Sequence, residues 1–359
     1  MENMEINSSF WRGRSVFLTG HTGFKGGWLA LWLCEMGAKV YGYSFEAPTN
    51  PNFFNIVNLG NKIQNSVIGD IRNLTKLTNS MQIASPSVVF HMAAQPLVRQ
   101  SYNDPIETFT TNLIGTINVF EAARKIETIE AIVNITTDKC YENKEQNQPY
   151  QETDRLGGYD PYSSSKACSE IATSAYRNSF LSKSGIKLAS ARAGNVIGGG
   201  DWSEGRLIPD CIKSWNSKKK VTIRSPSSTR PWQHVLEVLF GYLVLGSLLN
   251  KNIKLNGQPF NFGPKIHSRF TVLEVLKKIR NKWPNAYWRV KKSKLKESKL
   301  LKLNSKKSQK LLRWRCVLSF TQTLNLVLDW YKNYYDKKMN MKQFSINQIK
   351  YYSSIIKKI

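Results

Sequence analysis

The chain has 359 residues, of which 41% are hydrophobic and 11% aromatic, enough to fill one large α/β core or two smaller ones. Its five cysteines are odd in number and scattered without a C-x-x-C pair. That excludes a disulfide framework and a zinc knuckle, leaves no metal site to expect, and fits a reducing, cytoplasmic setting. The net charge of +27 is concentrated late: residues 1–250 hold 25 Lys and Arg against 21 Asp and Glu, and residues 251–359 hold 27 against 4.

The opening MENMEINSSFWRGR lacks an apolar run and is not expected to act as a secretory signal. From there short β-branched runs (SVFLTG, VYGYS, SVIGD, VVFHMAA, AIVNITTD, KLASARAG) alternate with apolar patterns at helical spacing, such as PIETFTTNLIGTINVFEAARK. Such alternation predicts successive βαβ units, hence an α/β, Rossmann-type doubly wound parallel sheet. Residues 10–195 are expected to form mainly the dinucleotide-binding domain. Beyond them the rhythm loosens, and residues 196–337 predict a smaller C-terminal substrate-binding lobe with the chain crossing back. Within it, VLFGYLVLGSLL (238–249) is too short to cross a bilayer and reads as a buried helix. Segment 285–316 is rich in Lys and Ser and weakly periodic, and a last amphipathic helix covers TQTLNLVLDWYKNYY. Residues 338–359 read as a loose basic tail. The late charge carries no arginine-rich arm, zinc finger or aromatic ribonucleoprotein motif, so no specific nucleic-acid partner is expected. It reads as a solvated face, with tail contact to an anionic membrane as the alternative.

The first strand runs into TGHTGFKGGW, which sets Gly20, Gly23 and Gly26 in G-x-x-G-x-x-G spacing before a helix. Glycines there permit a tight turn, close backbone approach to a pyrophosphate and close helix–strand packing. The unpaired N–H groups and positive dipole end of the helix attract phosphate. The second strand ends at Ser44 rather than at an acid. No arginine stands beside it in the sequence to welcome a 2′-phosphate, so NAD is the expected cofactor. Asp70, ending the third strand, suits either the adenine amino group or a helix cap.

Tyr162 and Lys166 in YDPYSSSK are four apart and share one helix face. A neighbouring ammonium favours phenolate, which brings a tyrosine nearer to use as a base. Thr137, after the fifth strand, supplies a hydroxyl to hold the substrate oxygen that Tyr162 deprotonates. Hydride transfer needs one base, yet TTDKCYEN adds Asp138 and Lys139, a second acid/base pair. Neighbours on a strand point oppositely, so the strand must end here if both are to face one ligand.

TGHTGFKGGW, HMAAQPLVRQSY, TTDKCYENKE, LGGYDPYSSSK, ARAGNVIGGGDW and STRPWQHVLE together resemble the extended short-chain dehydrogenase/reductases, and within them the CDP-glucose 4,6-dehydratases, from about residue 10 to 335. The resemblance implies oxidation of the sugar at C4, loss of water across C5–C6 and return of the hydride to C6. Tyr162, with Thr137 and Lys166, would serve the C4 hydroxyl. Asp138 would be the acid at the C6 hydroxyl and Lys139 the base at C5, or the reverse. The resemblance also sets Phe24, Ile71, Ala93, Ala94 and Asn112 against NAD, with Gln95, Arg99, Asn195, Arg206, Leu207 and Arg230 against CDP-glucose. It implies a homodimer or larger homo-oligomer and a role in deoxysugars of surface polysaccharide. Arg155, Val238 and Phe240 depart from the usual pattern of the family. Another nucleotide-sugar dehydratase or an epimerase is the alternative enzyme. A basic polyanion-binding protein on an inactive Rossmann scaffold is the alternative of another kind.

Overall fold

The computed structural model describes residues 7–264, 270–291 and 301–358. Its centre is a seven-stranded parallel sheet: β1 (Ser15–Thr19), β2 (Lys39–Ser44), β3 (Asn65–Ile68), β4 (Val88–His91), β5 (Ala131–Ile135), β6 (Lys187–Ala193) and β7 (Pro259–Phe262). The strand order is β7-β6-β5-β4-β1-β2-β3. The six runs read from the sequence supply β1 to β6. β7 comes from PFNF, too short and too isolated from any βα rhythm to stand out. It pairs with β6 at Phe260 and Ala191 and carries the chain back from the C-terminal half into the sheet.

Alternation along β1 sends Val16 and Leu18 into one core and Phe17 into the other, so both faces of the sheet are covered. The larger core takes α1 (Phe24–Glu35) and α6 (Val235–Leu249). The smaller takes α2 (Leu74–Ala84) and α3 (Gly115–Ala123). Helix α4 (Pro161–Tyr176) starts cleanly because the Asp160 carboxylate accepts from the Ser163 N–H at 2.9 Å and Pro161 presets the first turn. After it, α5 (Leu207–Asn216) belongs to the late segments.

The sequence predicts a loose tail after Lys337, and the structure corrects this. A capping box formed by Ser319 and Gln322 opens α7 (Phe320–Asp336), and α8 (Met341–Ile356) follows and packs on α1. Met341, Ile346, Ile349, Tyr352 and Ile356 form its buried stripe. That spacing is helical, but the interspersed lysines mask it in a reading by composition. Phe240, a departure from the family pattern, meets Tyr352 edge-on with ring centroids 6.2 Å apart. The last helix therefore fills the space beside it.

Candidate active site

The order of the sheet reverses at β1, whose neighbours are β2 and β4, and the glycine-rich turn lies at that point. Gly20 has φ +79° and approaches the Ala93 backbone so closely that a Cβ would lie 2.8 Å from its nitrogen. At Gly26 a Cβ would fall 2.0 Å from the Gly20 carbonyl oxygen, which only glycine avoids. Gly23 N-caps α1, and no side chain caps this helix. Bare backbone therefore faces outward before the first-turn N–H groups, the arrangement a diphosphate requires. Phe24 opens α1 and reaches toward Gly198, where a Cβ would sit 2.9 Å from its ring.

Ser44 is buried and lies 2.8 Å from the Thr22 hydroxyl. Thr22 spends its proton on the Phe45 carbonyl, so Ser44 donates and keeps its lone pairs free. Asp70 is gripped by Arg72 through Nε at 2.8 Å and through its backbone N–H at 2.8 Å. Burial raises the Asp70 carboxyl, but these bonds and the charge of Arg72 outweigh it, so its pKa is lowered. The linear sequence shows no arginine beside Ser44. The fold nevertheless brings the Arg72 guanidinium 6.0 Å from the ring of Phe45, the next residue, with its charge already matched by Asp70. Ile71 fills the space that Gly115 leaves.

Ala93 and Ala94 continue β4, and the Ala93 N–H donates to the Thr19 hydroxyl at 3.1 Å. Asn112 is wholly engaged: its oxygen accepts from the Gln95 N–H at 2.8 Å, and its amide donates to the Gln95 carbonyl at 3.1 Å and the Ser165 hydroxyl at 2.9 Å. It thereby ties the loop after β4 to α4.

At the end of β5, Thr137 keeps extended backbone and N-caps a single 3-10 turn, Asp138–Cys140. The strand thus ends where the sequence requires it to. The Thr137 hydroxyl donates to the Asp138 carboxylate at 3.1 Å and accepts from the Lys139 N–H, and both Thr137 and Asp138 act on the buried Tyr162 phenol. Thr137, Asp138, Tyr162 and Lys166 are therefore one buried cluster, with Lys139 half-buried beside it. Gly194 makes room, because a Cβ there would lie 3.0 Å from the Asp138 carboxylate.

Burial pushes Asp138 up to about 6, against the pull of Lys139, Thr137 and Arg230. A proton is then available on a carboxylic acid near neutrality. Lys166 donates to the Ile135 carbonyl at 3.0 Å, and burial lowers it to about 8 although Glu170 opposes this. Burial pushes the Tyr162 phenol up to about 12, and Thr137 and Arg206 pull against it.

The expected substrate residues divide. The Gln95 side chain is spent inside its own loop, accepting from the Leu97 N–H at 2.6 Å and donating to the Thr108 hydroxyl at 2.9 Å. Arg99 is exposed, its stem 3.9 Å from where a Cβ on Gly205 would lie. The Asn195 carbonyl accepts from the Gln233 N–H, while its side chain has no partner among the described residues. Arg206 N-caps α5 immediately before Leu207, pairs with Asp201 at 2.8 Å and lowers Tyr162 by its charge. Arg230 acts on Asp138 in the same manner.

The sequence reading misses the support beneath these groups. Arg192 on β6 donates from two nitrogens to Glu170 on α4, each bond 2.9 Å long. Glu170 also accepts from Thr136 and from Ser190 at 2.7 Å. Asp201, which holds Arg206, has its carbonyl bonded by Tyr331 of α7. Of the glycines before it, Gly199 packs against Trp330, where a Cβ would come within 2.0 Å of the ring, and Gly200 packs against Phe53. Acids and arginines so far apart in sequence give no spacing to read.

Comparison with known proteins places this geometry. The family model described as GDP-mannose 4,6 dehydratase matches residues 17–327. The chain belongs to the GDP-mannose 4,6 dehydratase family. A relative in Salmonella typhimurium, CDP-glucose 4,6-dehydratase, is 48% identical over 91% of this chain and 93% of its own length. CDP-paratose 2-epimerase of Salmonella typhi is 27% identical over 74% of this chain and 83% of its own. Among solved structures, the epimerase Mth375 of Methanothermobacter thermautotrophicus superposes with a TM-score of 0.79 at 21% identity, covering 92% of this chain and 96% of that one. MoeE5 in complex with UDP-glucose and NAD gives 0.77 at 20% identity, covering 89% and 99%. The parallel sheet and its flanking helices are thus the fold of these two solved structures.

Proposed function

We propose that the chain is an NAD-dependent CDP-glucose 4,6-dehydratase, a hydro-lyase that forms CDP-4-dehydro-6-deoxy-D-glucose and water. One observation carries the reading: Asp138 is buried, bonded by Thr137 and close enough to the buried Tyr162 to act on its phenol, so an elimination acid and an oxidation base belong to one cluster. The 48% identity to the Salmonella typhimurium dehydratase supports it. NAD fits the uncapped first turn of α1 and the bare glycine surface before it, and the nicotinamide would supply a reversible hydride acceptor.

The protein's residues carry the rest. Tyr162 takes the C4 hydroxyl proton, with Thr137 holding the oxygen. Its phenol, raised by burial, relies on positive charge nearby, and Arg206 supplies part of it. Asp138, kept partly protonated near neutrality, delivers a proton to the departing C6 hydroxyl. Lys139, next on the same turn, removes the C5 proton. Arg206 and Arg230 offer guanidinium forks to the diphosphate. Residues 10–195 would mainly hold the cofactor, and residues 196–337 the nucleotide sugar.

Exposed Ile106, Ile114, Ile171 and Phe180 on the segment from Pro105 to Ile114 and on α4 and its extension form an apolar face suited to a second copy of the chain. No helix among the described residues is long and apolar enough to cross a membrane, and we place the enzyme in the cytoplasm. Its product would feed deoxysugar synthesis for surface polysaccharide.

Incubation with CDP-glucose and NAD tests the activity. The expected product is lighter by one water, without net accumulation of reduced cofactor. Net reduced cofactor at substrate level would indicate a plain dehydrogenase, and an isomer of unchanged mass an epimerase. Turnover of dTDP-, GDP- or UDP-glucose in preference to CDP-glucose would move the assignment to another base.

A further inference from the structure

The segment GGGDW (198–202) has no part in the steps assigned to Tyr162, Asp138 and Lys139, yet α1 and α7 hold it from both sides. Phe24, opening α1, fills the space beside Gly198, and Trp28 of the same helix donates from its ring nitrogen to the Gly199 carbonyl at 2.8 Å. Trp330 of α7 lies against Gly199 and Phe53 against Gly200, and Phe53 stacks on Trp28 with ring centroids 4.7 Å apart. Tyr331 of α7 donates to the Asp201 carbonyl, and Trp202 meets Trp330 edge-on at 5.5 Å. The backbone that carries Asp201 is thereby fixed relative to both helices.

The Asp201 side chain is only 4% exposed and both its oxygens are engaged: Oδ1 accepts from the Ser203 N–H at 3.0 Å and Oδ2 from the Arg206 guanidinium at 2.8 Å. Such a carboxylate is closed off from a ligand, and its charge would repel a phosphate. Arg206 differs. Its side chain is 35% exposed, and among the described residues the bond to Asp201 is the only hydrogen bond its guanidinium makes. A guanidinium carries five N–H donors in one rigid plane, so pinning one corner sets the direction of the rest.

Resting on the diphosphate role of Arg206 given above, we propose that Asp201 is a positioning residue that aims the free edge of the Arg206 guanidinium at the nucleotide diphosphate, with its own place set by α1 and α7. An arginine ordered in advance loses little side-chain freedom when the ligand arrives, which favours binding. Grip on the nucleotide sugar then depends on Tyr331, which holds the Asp201 backbone from the C-terminal helices.

Calorimetric titration of the full chain with CDP reads the effect. Asp201→Asn keeps the size of the side chain and an acceptor for Ser203 but removes the charge that grips Arg206, and it should bind CDP on the order of tenfold more weakly. Tyr331→Phe, which releases only the Asp201 carbonyl, should weaken CDP by a smaller factor. In an Arg206→Met background neither substitution should weaken CDP further, because no guanidinium is left to aim. A merely structural role would lower the melting temperature and cost the same affinity with or without Arg206. Affinity in Asp201→Asn equal to or tighter than wild type, or losses that add to that of Arg206→Met, would overturn the inference. Should Asp201→Asn fail to fold, Tyr331→Phe decides it by the same comparison. Arg206→Met binding CDP as the wild type does would instead sink the diphosphate role of Arg206, and a wild type that binds no CDP would sink the CDP-glucose assignment.

Discussion

The Tyr352 hydroxyl on the last helix donates to the Glu237 carboxylate at 2.8 Å, deep inside the protein and across 115 residues of sequence. Glu237 also accepts from the Val317 and Leu318 N–H groups at 2.9 and 2.6 Å, so one buried carboxylate joins α6, the loop before α7, and α8. Burial raises its pKa while these bonds lower it, and the net shift is upward. Removing one donor leaves a buried acceptor short of a partner, which costs about 1–3 kcal/mol. Tyr352→Phe should therefore lower the melting temperature by several degrees while leaving the chemistry at Asp138 untouched. Deletion of residues 338–359 should destabilise far more, because it also strips the buried stripe of α8 from α1. A truncated protein as stable as the full chain would show the helix to be dispensable.

The pair beneath the catalytic helix predicts a larger effect. Glu170 and Arg192 are each only 4% exposed in their side chains and lie 2.9 Å apart. Breaking one partner of a buried pair costs roughly 3–5 kcal/mol. Arg192→Met should fail to accumulate as folded protein or melt well below wild type. Joint replacement, Glu170→Met with Arg192→Met, should recover much of the loss by removing both charges. A single variant no worse than the double would contradict the pairing argument.

Asp138 predicts opposed changes in activity and stability. With its folded value near 6 against an ordinary 3.8, the native state binds more protons than the unfolded chain between these values. Stability from this group is therefore lost as pH rises from about 4 through about 6, by up to roughly 3 kcal/mol. Asp138→Asn should flatten that slope and melt higher at neutral pH. It should also slow elimination by about 10²–10⁴-fold, since no proton can be delivered to the C6 hydroxyl. In the wild type the elimination step should weaken as pH rises above about 6. An Asp138→Asn variant with full dehydratase turnover would remove the carboxyl from the mechanism.

Much of this site is visible in the linear chain because the relevant groups lie close together in sequence. Gly20 and Gly26 must nearly touch, so their spacing is fixed. Tyr162 and Lys166 share a helix face, and Thr137, Asp138 and Lys139 share one turn. The support is not visible, because it is assembled across distance. Glu170 on α4 meets Arg192 on β6, Asp201 holds Arg206 just after a glycine that packs against Trp330, and Asn112 and Gln95 spend their polar atoms on the scaffold. The same holds for α8, whose apolar stripe is diluted by lysine until a groove formed by α1 and α6 gives it direction.

The most direct test follows a single hydrogen. CDP-glucose carrying deuterium at C4 of the sugar should give a product whose C6 methyl group contains that deuterium, with C5 hydrogen drawn from solvent, as read by mass spectrometry and proton resonance. Deuterium kept at C4, lost to water or accumulated on released cofactor would contradict an oxidation, elimination and reduction carried out within one pocket.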